Sequence, residues 1–146
     1  ETDLGPKVSR EQVDRTLEYL EKAKEEGGEF LVGGGRPEDE TLAEGCYVEP
    51  TLVDGLEHGS AAAQEEIFGP VLTVFRWDDY DEMIELANDV DYGLAGGVIT
   101  DDITRANRTA RDIEAGYIWI NSYHDLVPGL PFGGYKQSGI GRELSA

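Results

Sequence analysis

Val71-Leu72-Thr73-Val74-Phe75, Asp79 to Val90, Leu94 to Ile99, Asp101 to Ile113 and Tyr117-Ile118-Trp119-Ile120-Asn121 follow one another almost without interruption. The first, third and fifth are short apolar runs bounded by turn residues, which reads as buried strand. The second and fourth repeat apolar residues at helical spacing; Met83, Ile84 and Ala87 fall on one face of the former. Strand, helix, strand, helix, strand is the signature of parallel βαβ units joined by right-handed crossovers. The expected fold class is therefore α/β, a parallel twisted sheet with flanking helices.

On the amino-terminal side, Ser9-Arg10-Glu11-Gln12 has the form of a capping box, and Val13, Leu17, Leu20 and Ala23 continue at helical spacing. Gly27-Gly28 stops that helix. Glu29 to Val32 reads as a short strand, Gly33 to Gly45 as a polar surface loop, and Tyr47 to Val53 as an extended segment bent or edged at Pro50. Ser60 to Glu66 suits a helical turn. On the carboxyl side lies Pro131-Phe132-Gly133-Gly134-Tyr135-Lys136-Gln137-Ser138-Gly139-Ile140-Gly141-Arg142. Glycine-rich and without periodicity, it reads as neither helix nor strand. A backbone-dominated loop beyond a strand's carboxyl end is where open α/β sheets bind ligands, and glycine lets the main chain approach a ligand or a neighbouring chain closely. With no repeat and no linker, residues 1–146 read as a single segment the size of one ordinary domain.

The charge balance narrows the partners. Thirty-one acidic residues against 12 basic ones leave a formal charge of -19. Nucleic acid and anionic membrane surfaces both require clustered Lys and Arg, so neither is expected. The acidic residues are spread along helix-like segments, which suits either a solubility device or adaptation to concentrated salt, where self-repulsion is screened. One cysteine excludes an intramolecular disulfide. No apolar run reaches the roughly 20 residues of a membrane helix, and without a visible signal peptide the expected setting is cytoplasmic.

Among motifs with chemical content, Glu65-Glu66-Ile67-Phe68-Gly69-Pro70 places a carboxylate beside an aromatic and a Gly-Pro turn. A carboxylate accepts hydrogen bonds from both vicinal hydroxyls of a ribose while an aromatic supplies an apolar wall. Equally, Glu66 could simply end a helical turn on the surface. His58 and His124 lack a partner at metal spacing and read as surface or loop histidines. Gly133 to Ser138 lacks the Gly-Lys-Ser/Thr order of a P-loop, and Gly139-Ile140-Gly141 lacks the third glycine of a dinucleotide fingerprint.

Taken in order, Gly45 to Thr51, Glu65 to Val71, Tyr92-Gly93-Leu94-Ala95, Ala115 to Asn121 and Pro131 to Glu143 resemble the aldehyde dehydrogenase superfamily over essentially the whole chain. The resemblance implies an α/β fold of the aldehyde dehydrogenase catalytic-domain type, here incomplete. Such enzymes oxidise aldehydes to acids with NAD or NADP: a cysteine forms a thiohemiacetal, hydride leaves to the nicotinamide, and a Glu activates water. The sequence settings of that nucleophile and that base are missing, as is a Gly-x-Gly-x-x-Gly loop. The segment is thus expected to be the carboxyl-terminal part of the catalytic domain, without a NAD-binding domain, without the family's terminal oligomerisation strand and with no catalytic residue of its own.

By the same resemblance, Glu66 matches the carboxylate that binds the nicotinamide ribose, Phe68 the aromatic beside the nicotinamide, and Gln12 and Arg15 positions that reach the same ribose, the second more usually lysine. Phe132, Asn121 and Leu126 match the substrate tunnel; several relatives carry an aromatic where Leu126 stands, which bears on any cation cage for a betaine-type aldehyde. The carbonyls of Lys136 and Gly139 match a monovalent-cation position in some relatives. Cys46 has no neighbour to lower its pKa and reads as structural. The implied partners are a small aldehyde and, in an intact enzyme, further copies of the chain. The competing readings are a stand-alone, non-catalytic binding or assembly module and a nucleotide-binding regulator.

Overall fold

The computed structural model describes residues 4–144. Contacts gather the chain into two compact units, one ending at Arg76 and the other beginning at Trp77. The first contains α1 (Arg10–Glu25), β1 (Glu29–Val32), α2 (Glu40–Ala43), β2 (Thr51–Asp54), α3 (Ala61–Gln64) and β3 (Val71–Thr73). The second contains α4 (Tyr80–Asn88), β4 (Tyr92–Gly93), β5 (Ala95–Val98), α5 (Ile103–Asp112), β6 (Tyr117–Ile120) and β7 (Tyr135–Lys136).

In the first unit, α1 begins where Ser9 Oγ accepts the Gln12 amide hydrogen at 3.3 Å. It ends in a Schellman arrangement: the Gly28 amide donates to Ala23 O at 2.7 Å and the Gly27 amide to Lys24 O at 3.0 Å. Gly27 takes φ 93°, the left-handed turn that glycine adopts without penalty. Val13, Thr16, Tyr19, Leu20 and Ala23 form the buried stripe of α1. Tyr19 and Ala23 pack with Val53, Leu56, Ala62 and Ile67, while Val13 and Leu20 pack with Val48. The sheet has the order β1-β2-β3, with β2 antiparallel to β1 and parallel to β3. Strand β2 starts only after Pro50, which has no amide hydrogen to give to a ladder. Within the stretch expected to be loop, Asp39 Oδ1 accepts from the Thr41 amide at 2.8 Å and nucleates the single turn α2.

In the second unit, Asp79 accepts from the amides of Asp81 and Glu82 and so caps α4. Asp102 caps α5 in the same way through Thr104 and Arg105. Met83, Ile84 and Leu86 are half-buried whereas Ala87 is exposed, so the face expected to include Ala87 is carried by the longer side chains. Strands β5 and β6 are parallel, β4 and β7 antiparallel.

Each unit therefore holds one compact βαβ, β2-α3-β3 in the first and β5-α5-β6 in the second. The fold is α/β with small parallel sheets, as expected, but β3 takes its place beside β2 rather than heading a run of three strands. The glycine-rich carboxyl stretch also departs from a pure loop: Tyr135–Lys136 is strand, and Phe132 bridges Glu143 with amide-to-carbonyl bonds of 2.9 and 2.8 Å. A side chain at Gly116 would begin 1.7 Å from Gly133 O, so only glycine there lets the main chain lie so close. Main-chain pairing of that kind leaves no side-chain periodicity.

Candidate functional site

The first unit packs the turn that carries Glu66 and Phe68 on α1 through their neighbours, Ile67 beside Tyr19 and Gly69 beside Thr16, whereas Gln12 and Arg15 border a depression that Glu66 and Phe68 do not line. Ile67 is the anchor: it is buried in the cluster containing Tyr19 and Ala23. On either side, Glu66 and Phe68 are turned outward and exposed, Phe68 to 60%. Phe68 has φ 54°, a costly conformation for an aromatic residue that persists only where its surroundings hold it. Lys7 Nζ donates to Phe68 O, and Gly69 lies against the buried Thr16. The Thr16 hydroxyl in turn donates to Gln12 O at 2.8 Å. Tyr19 donates its phenolic hydrogen to Glu65 Oε2 at 2.5 Å. Gln12 is half-buried, Arg15 exposed with its guanidinium 5.9 Å from the Tyr19 ring centroid. A depression of about 570 Å³ is bordered by Gln12, Arg15, Glu18, Tyr19 and Lys22. The Glu66 carboxylate makes no hydrogen bond or ion pair among the described residues. An exposed, unpartnered carboxylate on a fixed backbone is free to accept two hydroxyls, so the donor and acceptor set fits a ribose.

In the second unit, Asn121 closes the βαβ. Its amide donates to Val98 O and its Oδ1 accepts from the Thr100 amide, both at 2.9 Å, with φ 52°. Its side chain is thus committed to the turn between β5 and α5. The Phe132 ring lies 5.6 Å from Tyr117, Tyr117 lies 4.9 Å from Trp119, and Trp119 lies 5.6 Å from the exposed Tyr123. Trp119 Nε1 donates to Asp125 O at 2.9 Å, which holds the start of the loop carrying the exposed Leu126.

Lys136, also at a positive φ of 51°, sends its ammonium to Glu114 Oε2 at 2.9 Å, Val90 O at 3.2 Å and Asn88 O. It thereby closes the carboxyl end of α4, where a cation is favoured. Its main chain pairs with Tyr92, and Gly139 turns at φ 111°. Cys46 is half-buried against the Val13–Leu20–Val48 cluster. His58 Nδ1 lies 3.1 Å from Gln64 Nε2, and His124 is exposed next to Tyr123. No group of three or more His, Cys, Asp or Glu able to hold a metal occurs among the described residues, and none of their helices is long and apolar enough to cross a membrane.

Sequence reasoning did not single out Tyr19, Lys7 or Thr16. The available signal was the position of Tyr19 one turn beyond Arg15 on a helix that also carries Gln12. It was masked because Tyr19 lies outside the stripe of Val13, Leu17, Leu20 and Ala23 read from the sequence.

The family model for the aldehyde dehydrogenase family matches residues 1–146, and the chain belongs to that family. It is 48% identical over 145 residues to a betaine aldehyde dehydrogenase from Agrobacterium fabrum, covering 99% of this chain and 29% of that protein. The crystal structure of a Staphylococcus aureus betaine aldehyde dehydrogenase in complex with NAD+ superposes with a TM-score of 0.96 at 44% identity, over 99% of this chain and 29% of that one. A Mycobacterium tuberculosis aldehyde dehydrogenase complexed with NAD+ gives 0.90 at 43% identity, over 95% and 28%. The chain thus spans about 29% of the length of the curated relatives it matches. These likenesses do not favour a stand-alone binding module.

Proposed function

We propose that residues 1–146 are part of the catalytic domain of an NAD(P)-dependent aldehyde dehydrogenase that oxidises an aldehyde to a carboxylic acid. The observation that carries this is the free Glu66 carboxylate beside the exposed, conformationally held Phe68. Glu66 accepts hydrogen bonds from the vicinal hydroxyls of the nicotinamide ribose, Phe68 walls the nicotinamide, and Gln12 and Arg15 reach the ribose from α1. NAD or NADP, when bound, takes up the hydride. Cys46, packed against apolar neighbours, is not the nucleophile.

Phe132, Asn121 and Leu126 border the aldehyde's route, Asn121 by shaping the turn rather than by touching substrate. The row of π-faces from Phe132 to Tyr123 suits a quaternary ammonium head, as do the relatives named for betaine aldehyde. Carbonyls of Lys136 and Gly139 take a monovalent cation. The acidic surface serves a homo-oligomeric enzyme working in a salt-rich cytoplasm, its charge screened by ions.

The polypeptide as its gene encodes it, supplied with betaine aldehyde and uncharged aldehydes of similar size, is expected to form NADH or NADPH. No reduced dinucleotide with any aldehyde, with either cofactor, overturns the proposal.

A further inference from the structure

We infer that Tyr19 is a positioning residue for the Glu66 carboxylate, an inference that rests on Glu66 being a ribose ligand. The Tyr19 ring is only 7% exposed and packs against Ile67, the residue that anchors the turn. Its hydroxyl crosses from α1 to Glu65 Oε2 at 2.5 Å. An O–H donor that close to a carboxylate belongs to the charge-assisted class, about twice as strong as a neutral bond.

The three neighbours of Glu66 that could swing it are all tied down. Glu65 is held by Tyr19, the Phe68 carbonyl by Lys7, and Gly69 by the flank of Thr16. Glu66 itself is left with a fixed backbone and an unbonded side chain. Core packing alone would require the Tyr19 ring but not a hydroxyl aimed at a surface carboxylate. Tyr19 also faces the guanidinium of Arg15 and, at 5.2 Å, the ammonium of Lys22. One side chain therefore meets Arg15 on α1 and, on the turn, the two residues that flank Glu66, namely Glu65 and Ile67. A carboxylate that must meet two hydroxyls at once loses affinity when its backbone drifts, because alignment is then restored at the expense of binding.

The test uses the full polypeptide as encoded, with NAD as the titrant. Tyr19→Phe keeps the buried ring and removes only the bond; Glu65→Gln weakens the same bond from the exposed side, where folding is not at stake. Both are expected to raise the Kd and KM for NAD by about threefold to tenfold, with the aldehyde KM unchanged. In the Tyr19→Phe/Glu66→Gln double variant the two losses are expected to be less than additive. If both single variants bind NAD like the native protein while Glu66→Gln is weakened, the inference fails, as it does if the losses add in full. If aldehyde KM and Tm shift in step with NAD affinity, Tyr19 is merely structural. If Glu66→Gln itself binds NAD normally, the ribose assignment falls first and the positioning role with it.

Discussion

Gly69 sits so close to Thr16 that the Cβ it lacks would lie 2.6 Å from Thr16 Cγ2 and 2.8 Å from its Oγ1. Thr16 is fully buried in the middle of α1 and cannot retreat. Gly69→Ala is therefore expected to destabilise the first unit by about 1–3 kcal/mol, an overpacking cost. Thermal unfolding of Gly69→Ala, Thr16→Ala and the double variant checks it: the loss from Gly69→Ala shrinks when Thr16 is already trimmed. Full additivity would show that the two residues do not press on one another.

Arg108 joins the two helices of the second unit. Its guanidinium lies 3.9 Å from the Tyr80 ring centroid, 2.6 Å from Asp81 Oδ1 and 3.2 Å from Asp112 Oδ2. Arg108→Lys keeps the charge but loses the planar fork that serves two carboxylates and a ring at once. Both Arg108→Ala and Arg108→Lys are expected to lower Tm by a few degrees, with the difference narrowing in high salt. A lysine variant as stable as the native protein would show that charge alone suffices.

Asp54 gives a pH signature. The Arg76 hydrogen bond at 2.6 Å, together with the Gly55 amide, holds its carboxyl below the ordinary carboxylate value. A depressed folded-state pKa contributes stability above the unfolded value and loses it as pH falls through the folded one. The Tm advantage of the native protein over Asp54→Asn is thus expected to be level above the ordinary carboxylate range and to diminish as pH falls below it. An advantage that grew on acidification would contradict that sign.

A formal charge of -19 on 146 residues makes salt the cheapest probe of the acidic surface. Tm is expected to climb steadily as potassium chloride rises from low to molar concentration, because screening relieves self-repulsion. A protein equally stable without salt would leave the surplus acid as a solubility device.

Much of this molecule could be read from side chains, and the misses have a common cause. Ser9, Asp79 and Gly27 announced helix ends through chemistry local to a few residues, and each sits where its hydroxyl, carboxylate or amide bonding requires, while the cap of α5 falls on Asp102, one residue inside the start expected at Asp101. Glu66 and Phe68 stood out as candidates through the Glu-Glu-Ile-Phe-Gly-Pro order and its resemblance to the family, while the exposure of both on either side of the buried Ile67 came from the fold. What pairs main chain to main chain was not: β7, the Phe132–Glu143 bridge and the contact of Gly116 with Gly133 depend on what glycine omits. The partnership of β3 with β2 was equally hidden, because an apolar run says that a strand is buried and not which neighbour it chooses. Tyr19 lay outside the stripe of Val13, Leu17, Leu20 and Ala23 read from the sequence, yet it is buried; its hydroxyl's aim at Glu65 depends on where the distant turn lands.

The claim on which the account depends is that Glu66 holds the dinucleotide. Calorimetric titration of NAD into the full polypeptide and its Glu66→Gln variant tests it most directly. The amide keeps the shape of the side chain but accepts from one hydroxyl without charge, so the Kd is expected to rise about tenfold or more, at roughly 1.5–3 kcal/mol for a charge-assisted bond. An unchanged Kd, with the native protein binding normally, would contradict the account.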